Sequence, residues 1–206
     1  MSHAVPMSSG TSVPLTSRIS NGKLGMWIFL ASEVMFFAGL IGTYIVLRVS
    51  NPTQFSPDFL HEHFHRLNQG LAGFNTLVLI LSSLSMALGV EAAKNGNAAK
   101  MRNMILITAL LGIVFCGVKG YEYNDKFSAG IWPHSQLFFS CYFVTTGVHL
   151  AHVILGVLPL LACYFMSFKP GRFLAHDDET IELLGLYWHF VDLVWIFLFP
   201  LLYLIR

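Results

Sequence analysis

The sequence predicts an all-α membrane protein: a bundle of five transmembrane helices without a separate soluble domain. Of its 206 residues, 55% are hydrophobic and 11% are charged, about half the charge of an ordinary soluble domain. Mean hydropathy is +0.63. Five apolar runs follow one another, and each is long enough to cross about 30 Å of hydrocarbon as a helix. Together they use about 110 residues, which leaves only short loops and an N-terminal tail.

The composition also excludes several classes of protein. A disordered chain would be far less hydrophobic, and a net charge of +1 cannot form the basic surface of a nucleic-acid-binding protein. The apolar runs lack the alternation of a transmembrane β-barrel. The three cysteines lie within apolar runs and form no CxxC motif, so we interpret them as small buried hydrophobic residues.

The order of the elements follows from the positions of these runs. Residues 1–22 are rich in Ser, Thr, Gly and Pro and are predicted to form a disordered or extended tail; the membrane domain is predicted over residues 23–206. The first run is too long for a signal-peptide core and should remain as a helix. Pro159 lies in the fourth run, where we expect a tilt or a kink. The spans are predicted at approximately 24–47, 71–93, 104–123, 137–166 and 183–205.

The distribution of Lys and Arg predicts the orientation in the membrane. Seven cations fall on the N-terminal side, and the three in the compact loop from Lys94 to Arg102 carry most of the bias. Four fall on the other side, which are Arg48, Arg66, Lys126 and Arg206. Because cytoplasmic loops carry the excess of positive residues, the N-terminus is predicted inside and the C-terminus outside.

Glu33 is the first ionisable residue placed deep in a span. It lies about 15 Å along the helix from Lys23, well inside the hydrocarbon. A carboxylate there favours its neutral form unless a cation or a chain of water reaches it. Two interpretations stay open: a proton or lipid-linked site, or a neutral carboxyl group hydrogen-bonded to a neighbouring helix.

Other His and acidic residues lie within the last three spans. His149 and His152 share one face of the fourth span, and Asp192 follows His189 at the same spacing on the fifth, where it could fix the ring of that histidine. Glu122 lies at the outer end of the third span. These groups could satisfy one another across helices, ligate a haem or a metal pair, or line a proton path. The metal interpretation is disfavoured because the two close histidines share one helix and no span contains an HxxxH or HExxH motif.

Five stretches of the sequence, which together touch every span, carry a resemblance to a known family. They are GMWIFLASEVMFF (25–37), FNTLVLILSS (74–83), GYEY (120–123), YFVTTGVHLAHV (142–153) and LYWHFVDLVWIFLFPLLYL (186–204). In this order they resemble subunit III of the haem–copper terminal oxidases, the cytochrome c oxidase family. The chain departs from the pattern at Lys119, where the family often has glutamine, and at the residues around His149. It also lacks the first two of the seven spans of the longer members, which form the far wall of a lipid-filled cleft.

The resemblance implies a subunit without redox centres in an oxygen-reducing, proton-pumping complex of a bacterial cytoplasmic membrane. Haem and copper are expected in subunits I and II, not in this chain, and no metal-binding or catalytic residue is expected here. The chain would pack on subunit I, neighbour subunit II and small subunits, bind phospholipid and support proton uptake. The expected interhelical polar network is Glu33, Glu122, His149, His152, Glu182, His189 and Asp192. The expected lipid-binding residues are Lys23, Trp27, Glu33, Lys169, Arg172 and His176.

Other functions stay open at this stage. The same fold could serve a quinol oxidase or a nitric oxide reductase, since nothing in the chain identifies the electron donor. A more distant alternative is a proton-coupled transporter that uses Glu33 and the histidines. The odd number of spans and the lack of an inverted repeat or a broken helix weigh against a transporter.

Overall fold

A computed structural model of the chain describes residues 20–52, 55, 69–134, 136–168 and 178–204. The described residues form five long helices and contain no β-strand. All five helices are long and apolar enough to cross a membrane, so the predicted all-α class with five spans is confirmed. The helices are α1 (Asn21–Ser50), α2 (Gln69–Lys94), α3 (Ala98–Ser128), α4 (Leu137–Met166) and α5 (Asp178–Phe199), the last continued by a π-helical segment (Pro200–Leu204).

The helices are mostly longer than the apolar runs that predicted them. Helix α4 matches its run and continues unbroken across Pro159, whereas α3 covers Ala98–Ser128 instead of 104–123. Hydropathy detects only the part of a helix that lies in hydrocarbon. The polar residues at the ends of α3 extend the helix beyond that part.

Local hydrogen bonds explain where two of the helices begin. The Ser20 hydroxyl accepts the Lys23 backbone N–H at 3.2 Å and caps α1. Asn97 caps α3 in the same way, through the Lys100 N–H at 3.0 Å. The short link before Asn97 turns at Gly96, which has a φ of 69°, a conformation that costs little only without a side chain. This turn holds α2 and α3 side by side.

Helices α2 to α5 form a closed ring in which each packs on its two neighbours, and α1 lies outside the ring against α5 and α4. The buried residues of α1 are Leu30, Phe37 and Tyr44, which recur every seven residues and form one narrow stripe. The other faces of α1 are exposed; Met35, for example, is 76% exposed. The ring is therefore the core of the molecule, and α1 is its least covered helix.

The packing of the ring depends on a close approach between Trp188 of α5 and two glycines. A Cβ atom on Gly112 of α3 would lie 2.7 Å from the Trp188 ring, and one on Gly156 of α4 would lie 3.0 Å from it. The indole N–H is satisfied by the Ser82 hydroxyl of α2 at 3.1 Å. One tryptophan thus ties together all four helices of the ring, and small residues make the space for it, as is usual in membrane bundles.

The end of α5 changes to π-helical geometry at Pro200. Proline has no N–H and its ring clashes with the carbonyl of the preceding turn, and a π-helical turn is one way to absorb that interruption. The segment keeps Leu202 and Tyr203 buried. It brings Tyr203 towards α3 and α4, where the most extensive polar cluster of the described residues lies.

Candidate functional site

A buried cluster of two lysines, a glutamate and two tyrosines lies at the end of the bundle where α3 and α5 finish. One carboxylate oxygen of Glu122 accepts a hydrogen bond from Lys119 Nζ at 2.8 Å. The other oxygen accepts hydrogen bonds from Lys126 Nζ at 2.8 Å, the Tyr142 hydroxyl at 2.8 Å and the Tyr203 hydroxyl at 2.7 Å. No member of this lysine–glutamate cluster is more than 4% exposed. Four donors therefore saturate one carboxylate and join α3, α4 and the end of α5.

The lysine–glutamate cluster holds two ammonium groups against one carboxylate, and aromatic rings surround the extra positive charge. Lys119 Nζ lies 4.5 Å from the ring centre of Trp195 and donates to the Tyr203 hydroxyl at 2.6 Å. Lys126 Nζ lies 4.8 Å from the centre of the Tyr142 ring. The negative faces of such rings stabilise a desolvated cation.

Sequence reasoning missed most of the lysine–glutamate cluster. It placed Glu122 in a polar network but counted Lys126 among the cations of the aqueous side, and the structure instead buries Lys126 at 1% exposure. The available signal was the spacing of the three charged residues, since Lys119 and Lys126 lie three residues before and four residues after Glu122. Such residues share one helix face. Nothing in the local sequence indicated the two tyrosines.

Glu33 of α1 pairs with His152 of α4 in the membrane interior. Glu33 Oε2 lies 3.0 Å from His152 Nε2, and both side chains are largely buried. The other ring nitrogen, Nδ1, lies 2.8 Å from the backbone carbonyl of Val148. A carbonyl can only accept, so Nδ1 carries a proton. The contact between Nε2 and Oε2 then needs a second proton, held on either atom, and the pair links α1 to the ring.

His149 lies in an aromatic environment and not in a hydrogen-bonded network. Its ring stacks on Trp195 with ring centres 5.1 Å apart and meets the edge of Phe115 at 5.7 Å. It is 0% exposed, and neither ring nitrogen has a hydrogen-bond partner among the described residues. The structure therefore separates it from His152, although both lie on α4.

His189 and Asp192 of α5 face α2. His189 Nδ1 lies 2.7 Å from the Ser83 hydroxyl. Asp192 is 4% exposed. The Ser83 hydroxyl is within reach of its carboxylate, and no other hydrogen-bond partner is placed on either oxygen in the described part of the chain. The two residues line a cavity of about 260 Å³ between α2 and α5. They do not bond to each other in the way their spacing suggested.

Glu182 lies at the opposite end of the bundle from the lysine–glutamate cluster. Its carboxylate forms an ion pair with Lys23 of α1, whose Nζ lies 2.9 Å from one carboxylate oxygen. The Nζ atom of Lys94 of α2 lies 3.8 Å from the other oxygen. Next to it, the Ser20 hydroxyl donates to Glu179. These partly exposed pairs hold the start of α1 against α5, so Lys23 has a protein partner as well as access to the surface.

The remaining residues assigned to lipid binding divide into two groups. Trp27 of α1 is 59% exposed and points away from the ring. Lys169, Arg172 and His176 lie outside the described residues. Within the described ranges, no group of three His, Cys, Asp or Glu side chains is placed to hold a metal ion.

These features define an integral membrane protein in which five helices are joined by buried polar contacts. A model of the cytochrome c oxidase subunit III family matches residues 8–205. The chain is 36% identical to cytochrome c oxidase subunit 3 of Thermostichus vulcanus over 182 residues, which is 88% of this chain and 86% of the relative. It is 34% identical to the Corynebacterium diphtheriae protein of that name over 200 residues, which is 97% of this chain and 96% of the relative. The chain belongs to the cytochrome c oxidase subunit III family.

Proposed function

We propose that this chain is the non-catalytic subunit III of a respiratory cytochrome c oxidase in a bacterial cytoplasmic membrane. The observation that carries the proposal is the family match over nearly the whole chain, together with relatives that are named as cytochrome c oxidase subunits. In this proposal the chain packs on the catalytic subunit I and neighbours subunit II. Those two subunits hold the haem and copper and reduce oxygen.

The hydrogen bonds made by the buried polar residues support an accessory role. Glu122 is saturated by four donors from its own chain, and Glu33 is bonded to His152. A carboxylate whose acceptor sites are filled by donors of its own chain has little capacity left to ligate a prosthetic group. The polar side chains named here thus stabilise the bundle, and the chemistry belongs to the partner subunits.

The exposed surface of α1 supports a role in binding phospholipid. Apolar side chains with more than half of their surface exposed, such as Trp27, Met35 and Val49, cover its length. Acyl chains would lie on this surface, and the cationic side chain of Lys23 would interact with headgroups at the start of the helix. The proposed inside location of the N-terminus follows from the excess of Lys and Arg on that side.

The pair formed by Glu33 and His152 supports the proposed assistance to proton uptake. The two facing atoms share one proton, as the bond from Nδ1 to Val148 requires. Such a pair at the border between α1 and the ring could exchange that proton with water that enters beside it. In this proposal it keeps protons available to the catalytic subunit during turnover.

The proposal is tested by purification of the tagged chain from its native membrane in mild detergent. We expect co-purification with a haem-containing polypeptide and a subunit with a copper-binding domain, in one complex that oxidises reduced cytochrome c. Removal of the chain should leave initial electron transfer largely intact and shorten the time for which activity persists. Recovery of the chain without any haem-containing polypeptide would overturn the proposal. A complex that oxidises quinol and not cytochrome c would replace it with the quinol oxidase alternative.

A further inference from the structure

The cavity between α2 and α5 contains a buried acid, Asp192, whose hydrogen-bonding capacity the described residues do not fill. It is lined by Ser83, His189, Asp192 and Trp195 together with apolar residues. Its volume of about 260 Å³ exceeds the roughly 150 Å³ that holds a benzene ring in an engineered protein cavity. It can therefore accommodate a large side chain.

Two donors in the wall of this cavity are already engaged away from Asp192. The Trp195 indole N–H donates to Thr76 at 3.0 Å, and the Thr76 hydroxyl donates to the Ala72 carbonyl at 2.9 Å. The Ser83 hydroxyl is 2.7 Å from His189. The Ser83 hydroxyl is also within hydrogen-bonding reach of Asp192, but it has a single proton, whereas a carboxylate can accept about four hydrogen bonds. Among the described residues, at least one oxygen of Asp192 is therefore left without a donor.

Asp192 lies near the middle of the membrane. It is about 21 Å along α5 from the first residue of that helix, and the helix and its π-helical extension continue for about 18 Å beyond it. Lipid headgroups do not reach that depth, since the hydrocarbon core is about 30 Å thick. An acyl chain reaches it but carries no donor. An unsatisfied polar group there costs on the order of a few kcal/mol, so the cavity favours an occupant that brings a donor.

The cavity is open on the outer surface of the ring. Three apolar residues on its rim, Ile80, Leu84 and Ile196, are each at least half exposed. Helix α1 packs on α5 and α4 and leaves this side of the ring uncovered. A helix from another polypeptide could therefore lie along α2 and α5 and insert one side chain between them.

We infer that the cavity between α2 and α5 receives an amide or hydroxyl side chain from a transmembrane helix of the adjacent oxidase subunit, which donates a hydrogen bond to Asp192. The donor is neutral, because a cation would have to cross the hydrocarbon before it met its partner, at a cost of a few kcal/mol. The apolar rim packs against the same helix. This inference rests on the proposed function, since it assumes the oxidase complex. It specifies that the α2 and α5 face of this chain contacts another subunit of that complex.

Cross-linking in the intact complex tests the contact. A photoreactive amino acid replaces Ile80 on the rim of the cavity, and a control replaces Met35, which lies at a similar depth on the exposed side of α1. We expect the probe at position 80 to capture a subunit of the complex, at a point within about one helical turn of an Asn, Gln, Ser, Thr or Tyr. Capture of lipid alone at position 80, in a complex whose subunits still co-purify, would overturn the inference and leave the proposed function standing. Failure of the unmodified chain to co-purify with oxidase subunits would overturn both.

Two substitutions of Asp192 test the hydrogen bond itself. Asp192→Asn keeps an acceptor of the same shape, and we expect it to preserve the cross-link from position 80. Asp192→Leu removes the acceptor, and we expect the cross-link yield to fall about three- to tenfold, with the amount of chain in the membrane unchanged. An unchanged yield in the Leu variant would refute the role of Asp192. If the Leu variant fails to accumulate in the membrane, the Asn variant decides the question. A loss of cross-link yield in that variant would refute the proposal that the partner side chain is a neutral donor.

Discussion

Glu122 is the most heavily bonded polar residue described here, and its removal should cost the fold much of its stability. Glu122→Gln removes the carboxylate that both Lys119 and Lys126 contact and leaves two buried ammonium groups, although the side chain keeps nearly the same shape. Both lysines are 1% exposed, so water can compensate little. Removal of one partner from a buried ion pair costs about 3–5 kcal/mol. At about 1.4 kcal/mol per factor of ten, the unfolding equilibrium should shift by roughly 10²-fold to several 10³-fold.

A comparison with Lys119→Gln makes this prediction specific. That substitution leaves Glu122 bound to Lys126, Tyr142 and Tyr203, so the remaining pair is electrically balanced. We expect the loss of stability to be at least about 2 kcal/mol smaller than for Glu122→Gln. The assay is thermal or denaturant unfolding of the purified complex in mild detergent, with dissociation of this chain as the readout. A loss for Lys119→Gln equal to or greater than that for Glu122→Gln would refute the interpretation of the cluster as one carboxylate holding two cations.

Substitutions at Glu33, Gly112 and Glu182 test the other contacts. Glu33→Gln should preserve assembly of the complex, measured by co-purification, because an amide can still donate to the bonded histidine; Glu33→Lys should impair it, since it forces a charge into the membrane interior. Gly112→Leu should lower the melting temperature strongly, because even a Cβ atom would clash with the tryptophan ring; Gly117→Leu on the same helix is the control, since nothing lies within 4 Å of its Cβ position. Equal melting temperatures for the two glycine variants would contradict the packing described here. Glu182→Gln should change the melting temperature little at physiological salt, because its bond to Lys23 is partly exposed and screened.

Much of the fold could be predicted from the sequence because its cause is local. The apolar runs follow from the thickness of a bilayer, and α4 coincides with its run of residues 137–166. The helix ends were less accurate, since the polar turns that extend α3 lie outside the hydrocarbon and carry no hydropathy signal. The π-helical end of α5 was also missed. The segment begins at Pro200 and keeps Tyr203 buried, and that tertiary contact has no local sequence signal.

The buried polar residues were harder to predict than the spans that carry them. The sequence identified which ionisable residues lie within the membrane, because each is rare there. It could not identify their partners, since Glu33 and His152 are 119 positions apart and meet only through the rotation of α1 about its own axis. The same limit applies to His189, which the sequence pairs with Asp192 on one helix face. In the fold it bonds to Ser83 of another helix.

The spectrum and the metal content of this chain, separated from its purified complex, test most directly whether its buried histidines and carboxylates serve to join helices. We expect no haem absorption band and no bound copper in the separated chain, with both recovered in stoichiometric amount with the other subunits. A Soret band or one equivalent of copper in the separated chain would contradict the assignment of these residues to interhelical contacts.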